Sequence, residues 1–244
     1  MMCTISYIPI PHFKGFVITD SRDESINRPA LLPELYEELG CQLFYPKDTL
    51  SGGTWIGVSS EKRLMALMNG AFSRHERKPF YRKSRGLVVK EILSSKELDQ
   101  YLIKYDFTGI EPFYGVIFSW QSKMLILDII WDGLELNYRV NDPESSHIWS
   151  ASMTYTPDQK EKRSDTFSQY VKQISYSDNI PKKLWDFHHQ KGDGKDEGIL
   201  IDRGLLKTTS ITQFIHLDGR SDSFRYVDLI TNQESEGSVL WNNS

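Results

Sequence analysis

The sequence predicts an α/β domain built largely on antiparallel sheets, and three observations predict it. Short β-rich runs recur in pairs with only a tight turn between them, as antiparallel neighbours require. Between those pairs, two blocks carry apolar residues at helical spacing instead. Hydrophobic residues make up 39% and charged residues 25% of the chain, a balance that can bury a core.

In order, residues 4–9 and 16–20 read as strands joined across Pro11 and Gly15, so the chain begins inside a sheet. Residues 29–47 are rich in Pro and Glu and read as an excursion, after which 54–59 and 64–69 form a second strand pair. From Ser84 the period changes: Leu87, Val88, Ile92 and Leu93 fall at helical spacing, as do Leu98, Leu102 and Ile103. Runs at 114–120, 124–131 and 134–140 then read as a β-meander. Thr156 can cap a polar surface helix over 157–173, and Pro181 suits the first turn of another reaching His189. Residues 208–217 and 223–230 flank Asp218-Gly219, a favoured hairpin turn. The expected organisation is one domain over residues 1–231 with a frayed tail over 232–244.

A net charge of -4 gives no whole-chain attraction to phosphate backbones, which excludes general nucleic-acid binding. Two cysteines, Cys3 and Cys41, are too few for a disulfide framework, and the first residues do not resemble a secretory signal. No run approaches the roughly 18 apolar residues of a membrane span. These features predict a cytoplasmic protein with free thiols.

The first 86 residues hold an ordered series of features: Met2-Cys3, Ser21-Arg22-Asp23-Glu24, Arg28-Pro29-Ala30, Asp48, Ser51-Gly52-Gly53-Thr54-Trp55, and Asn69-Gly70-Ala71-Phe72. The series resembles the family named for its Asn-Arg-Asp-Glu motif, also called the transport and Golgi organisation 2 family, with further likeness near residues 147–157 and 207–219. The resemblance implies the N-terminal nucleophile hydrolase fold, a four-layer αββα sandwich. In the related cysteine amidases an N-terminal Cys attacks an amide carbonyl while its own α-amine acts as base. An amine at about 7.7–8.0 and a thiol at about 8.5 can exchange a proton near neutrality. By this resemblance Cys3 is the nucleophile, Arg22 a cation lowering the thiol pKa, Asp23 a carboxylate orienting the amine, and Asn69 an oxyanion donor.

Each residue also has a plainer reading. Cys3 fits a small apolar filler on a buried strand, Arg22 and Asp23 a structural ion pair, and Asn69 before Gly70 turn chemistry. Gly52 and Gly53 read as tight backbone at a strand entrance, and Trp55 as core. The chain departs from the family pattern at Ser21, at Ala151 where relatives carry Asn, and at Thr208 where many carry Arg. Met1-Met2 ahead of Cys3 leaves the thiol residue internal unless both are lost or translation starts at Met2.

Arg74, Arg77, Lys78, Arg82, Lys83 and Arg85 crowd one segment with His75, Phe80 and Tyr81. The segment fits an anionic substrate, with His75, Arg82 and Arg85 as the binding residues, or an ordinary solvated face. His188 and His189 diverge by about 100° on a helix and do not read as a metal pair. Neither cofactor nor metal is called for. The expectation is a cysteine hydrolase or acyltransferase acting on an amide or acyl bond of a small metabolite. The alternative is a non-catalytic binding or trafficking protein for haem, lipid or acyl thioester on the same fold.

Overall fold

The structure, a computed structural model, describes residues 2–175, 179–192 and 198–242. In chain order the first elements are β1 (Met2–Ile10), β2 (Gly15–Ser25), β3 (Ala30–Glu38), β4 (Cys41–Asp48), β5 (Ile56–Ser59) and β6 (Arg63–Asn69). Helices α1 (Arg85–Leu93) and α2 (Leu98–Lys104) follow, then β7 (Phe113–Ser119), β8 (Leu125–Trp131), β9 (Leu136–Asn141) and β10 (His147–Ser150). The last are α3 (Pro157–Lys172), α4 (Ile180–His188), β11 (Asp202–Arg203), β12 (Leu206–His216), β13 (Ser223–Asp228) and β14 (Glu234–Ser238). The sequence reads as one domain; the contacts fall into two compact units, Met1–Asn27 with Glu144–Leu240, and Arg28–Pro143 with Trp241–Ser244.

The first unit is built on an antiparallel sheet of order β10-β1-β2-β12-β13-β14, with β11 on β12. Its chain-distant strands meet because β1 and β2 form a hairpin over a turn closed by Lys14 at φ 42. Helix α3 starts at the expected cap: the Thr156 hydroxyl accepts from the Gln159 amide while the Gln159 side chain accepts from the Thr156 amide. Helix α4 turns Leu184 and Phe187 inward onto Ile8, Ile10 and Val17, so it covers the sheet face that those strand residues share. Asp218-Gly219 forms the expected turn, with Gly219 at φ 73.

The second unit is a seven-stranded antiparallel sheet in simple order, β3 to β9. Helix α1 buries Val88, Val89, Ile92 and Leu93. Buried Arg63 on β6 donates to the carbonyls of Ile92 and Ser95 at 3.0 and 2.7 Å, satisfying acceptors that the end of α1 leaves open. Gly53 lets the start of that helix approach: a Cβ there would lie 2.5 Å from the Gly86 carbonyl carbon.

Two expectations are corrected. Residues 29–47 are not an excursion but hold most of β3 and β4. Pro33 and the glutamates hid them, yet β3 is an edge strand with an irregular register between Leu31 and Glu34, where proline and charge are tolerated. Within the tail read as frayed, Glu234–Ser238 pairs with β13 as an acid-rich edge strand.

Candidate active site

Cys3 pairs with Arg22 across the β1–β2 ladder, and Arg22 pairs in turn with Ser210 of β12. Cross-strand partners point to the same side of a sheet, so thiol, guanidinium and hydroxyl share one face. The same alternation puts Asp20 there, through its pair with Ile5. Cys3 and Asp20 are fully buried and Arg22 is 1% exposed. Burial pushes the Cys3 thiol well above its ordinary pKa and the Asp20 carboxylate adds to the rise; Arg22 pulls downward and is outweighed. Arg22 thus acts in the expected direction, but desolvation of a fully buried thiol exceeds the benefit of one cation.

Asp23, one residue on, faces the other way. Its carboxylate accepts from the Tyr155 hydroxyl and the Thr208 hydroxyl, each at 2.7 Å. Arg163 of α3 lies 4.2 Å from the Tyr155 ring centroid and donates to the Thr4 hydroxyl at 2.6 Å. Burial raises the Asp23 carboxyl to about 6, against the two hydroxyl donors and the nearby Arg163 and Arg203. Asp23 stands opposite residue 2 in the ladder, one position from the Cys3 nitrogen.

Two of the departures from the family pattern, Thr208 and Ala151, have structural roles here. A bulge between Thr208 and Ser210 shifts the register, which aligns Thr208 with Asp23 and Ser210 with Arg22. Ala151, 1% exposed, donates its amide to the Cys3 carbonyl at 3.1 Å, leaving the strand end tied by backbone alone. On the Asp23 side, a cleft of about 700 Å³ is bordered by Thr208, Ile201, Lys207 and Leu229.

His188, fully buried, bridges the Ser6 and Ser21 hydroxyls at 2.6 and 2.7 Å through its two ring nitrogens. Burial holds its pKa well below the ordinary value, so it is a neutral tie between α4 and the sheet. His189 turns elsewhere, to the Trp185 carbonyl at 2.8 Å. Asp193, Asp196 and Glu197 lie outside the described residues. Asp20, Tyr155, Arg163 and His188 were missed in the sequence. Arg163 had a readable signal: it precedes Phe167 by one helical turn, and these two are the buried residues of α3.

The remaining candidates lie in the second unit. Asn69 ends β6 opposite Phe113, and its buried Oδ1 has no hydrogen-bond partner among the described residues. The next amide, Gly70, donates to the Pro112 carbonyl at 3.2 Å, which also receives Arg85 Nη1 at 3.0 Å. Arg85 Nη2 meets Glu111 at 3.0 Å, and His75 Nε2 lies 3.3 Å from the other oxygen of the same carboxylate. His75 and Arg85 are thus brought together, with Arg77 as a third partner of Glu111 at 3.2 Å. Arg82 is not: its Nε donates to the Thr108 carbonyl at 2.9 Å and its guanidinium pairs with Asp106 at 3.5 Å. Trp55 is fully buried, as expected. Arg28, Asp48 and Ser51 form a local clasp, with Arg28 Nε 2.7 Å from Asp48 and the Ser51 amide donating to it at 2.9 Å.

A profile of the family described as Transport and Golgi organisation 2 matches residues 2–205. Among solved structures the chain is similar to penicillin V acylase from Agrobacterium tumefaciens, with a TM-score of 0.58 at 9% identity, covering 97% of this chain and 86% of that one. It is similar also to the Caenorhabditis elegans ortholog of N-acylethanolamine-hydrolyzing acid amidase, with a TM-score of 0.56 at 9% identity over 89% and 93% of the two chains. An arginine-to-leucine variant of conjugated bile acid hydrolase from Clostridium perfringens gives 0.52 at 9% identity, over 96% and 92%. These likenesses show the N-terminal nucleophile hydrolase fold. A search of curated proteins finds no match.

Proposed function

The chain belongs to the Transport and Golgi organisation 2 family, and from that premise we propose that it is a cysteine N-terminal nucleophile hydrolase or acyltransferase for a small acyl metabolite. The observation that carries the reading is the pairing of Cys3 with Arg22 on one buried face, in a fold shared with acylases. In this reading the residues ahead of Cys3 are lost and its α-amine is freed. The amine takes the thiol proton, and the thiolate adds to the acyl carbonyl. The leaving amine departs with a proton, and water or a second acceptor releases the acyl group from the thioester. Arg22 offsets the charge of the thiolate. Asp23, one ladder position from that amine, receives the ammonium as its counter-charge.

The reading is tested at the amino terminus. Intact-mass analysis of protein from its native host should show a chain beginning at Cys3, and iodoacetamide should then label Cys3 faster than Cys41. Cys3→Ser should abolish acyl transfer with the fold retained, while Cys41→Ser should change little.

A second reading is favoured by the burial that keeps the thiol protonated and by the cleft bordering Thr208: a non-catalytic carrier of haem, lipid or acyl thioester. Retention of residues before Cys3, with slow labelling and saturable binding without turnover, would establish it instead.

A further inference from the structure

The second unit holds a charge arrangement that neither the fold nor the Cys3 chemistry uses. Two guanidiniums, from Arg77 and Arg85, and the His75 imidazole share the single carboxylate of Glu111. Glu111 is 9% exposed and Arg85 10%, so one of the cations is held in a poorly solvated place. That cation is also the first residue of α1, whose first turn contains no acidic side chain. The start of a helix carries partial positive charge and disfavours a cation there by a few tenths to about 1 kcal/mol. Arg28, the next guanidinium close enough to act on Arg85, already faces Asp48 at 2.7 Å. Burial, together with repulsion from Arg77 and Arg28, brings the Arg85 pKa down to about 10 in spite of Glu111. Positive charge is in excess at the site, and excess buried charge is costly unless an anion accompanies it.

Three buried polar side-chain atoms around the same network have no hydrogen-bond partner among the described residues: Asn69 Oδ1, His75 Nδ1 and Ser84 Oγ. Ser84 is the N-cap of α1, yet its hydroxyl caps nothing. Gly70, the residue after Asn69, is joined to Arg85 through the Pro112 carbonyl, which accepts from both. Arg77 is 71% exposed and meets Glu111 through Nε, which turns its terminal nitrogens to no acceptor among the described residues. Unpartnered buried polar atoms occur elsewhere in the chain as well, so these three count here because their residues accompany a surplus cation that a polar ligand could neutralise.

We infer that Arg77, Arg85, His75 and the α1 N-terminus form a binding site for an oxyanion, a phosphate or carboxylate group, with Glu111 as the internal counter-ion that it displaces in part. Arg77 supplies the accessible fork for two oxygens, Arg85 and the start of α1 the buried positive potential, and Ser84 a hydroxyl donor. Glu111 holds the three side chains in position without a ligand and lowers affinity by competing for them. The inference stands apart from the Cys3 reading, because every group in it belongs to the second unit.

Titration calorimetry of the full chain with inorganic phosphate, and separately with acetate, at constant ionic strength tests it. The expected result is saturable binding of at least one anion in the millimolar range or tighter; whichever titrates identifies the class. Arg77→Ala, a change at an exposed side chain, should weaken that binding about tenfold or more with an unchanged melting temperature. Glu111→Gln should tighten it several-fold, a gain that a purely structural salt bridge does not produce. Binding of neither anion overturns the inference, as does an Arg77→Ala protein that binds like the parent. If Glu111→Gln does not fold, the Arg77→Ala titration decides alone. Cys3→Ser should leave these titrations unchanged, so failure here and failure of the acyl-transfer reading are separately visible.

Discussion

Each unit carries a polar cluster, and the two are satisfied in different ways. Around Asp23 in the first unit, one buried carboxylate is matched by two buried hydroxyl donors, with a guanidinium stacked on one of those donors. Around Glu111 in the second, one carboxylate is outnumbered by cations, and buried polar atoms of Asn69, His75 and Ser84 have no partner among the described residues. The carboxylate of the first arrangement has its own donors on both oxygens, although the Arg163 Nε beside it is buried without a partner among the described residues, so that carboxylate reads as the support of the strand end that carries Cys3. The second is incomplete for the protein alone, so it reads as a receptor. Both lie beside family motif residues, which shows that motif membership does not separate support from binding; the partner of each polar atom does.

The comparison breaks most visibly at Asp23. A carboxyl held at about 6 in the folded state, against roughly 3.9 when unfolded, represents about 3 kcal/mol. Because the folded value is the raised one, the native state binds the proton more tightly. The contribution is therefore full below about pH 4 and is lost as pH rises through about 6. Urea unfolding of the parent and Asp23→Asn, across about pH 4 to 7, should show the parent losing up to about 3 kcal/mol relative to the variant. Parallel curves would mean that the carboxylate is better solvated than its burial implies. A chain whose first residue is Cys3 should show a smaller loss, since the new ammonium stabilises the ionised Asp23.

Tyr155→Phe is expected to cost about 1–3 kcal/mol, the range for removing one donor from a buried carboxylate. It should also raise the Asp23 pKa further, steepening the same pH dependence. A loss below about 0.5 kcal/mol would show that Thr208 alone supports Asp23.

Much of the fold was legible because its signals are local. The Thr156 capping box, the Asp218-Gly219 turn and the helical spacing from Leu87 to Leu93 are each written within a few residues, and each stands where expected. Strands β3 and β4 were illegible because edge strands tolerate the same Pro and Glu that mark loops elsewhere. The site was legible only in part. Cys3 and Arg22 meet because the β1–β2 hairpin is a local device, whereas Asp23 lies on the opposite face, a consequence of the two-residue period of strands. Its partners Tyr155 and Thr208 are 132 and 185 residues away in sequence, and no local pattern encodes them. The basic segment announced its charge but not its sorting: Arg82 and Arg85 are three positions apart, yet they face Asp106 and Glu111 respectively.

That sorting sharpens the comparison through a smaller effect. Arg82→Ala removes a partly exposed side chain that donates to the backbone carbonyls of Asp106 and Thr108, in the loop after α2. It should cost no more than about 1 kcal/mol in urea unfolding and leave phosphate or acetate binding as in the parent. A loss of anion affinity comparable to that of Arg77→Ala would return Arg82 to the site from which the geometry separates it.

The smallest expected effect is the most discriminating for the second cluster, and it concerns Ser84. Replacing a serine at a helix N-cap by alanine ordinarily costs about 0.5–2 kcal/mol, because its oxygen accepts from an amide of the first turn. Here the Ser84 side chain makes no such bond, and its buried oxygen is unpartnered among the described residues. Removing it discards a desolvated polar atom and no interaction, so Ser84→Ala should be neutral to within about 0.5 kcal/mol, or slightly stabilising. If Ser84 donates to a bound oxyanion, the same variant should weaken phosphate or acetate binding several-fold. Stability without affinity is the signature of a residue kept for a ligand. The opposite pattern, a loss of about 1 kcal/mol with binding intact, would show that the hydroxyl caps α1 in solution, and Ser84 would then no longer set the Glu111 cluster apart from the hydroxyl-matched carboxylate of Asp23.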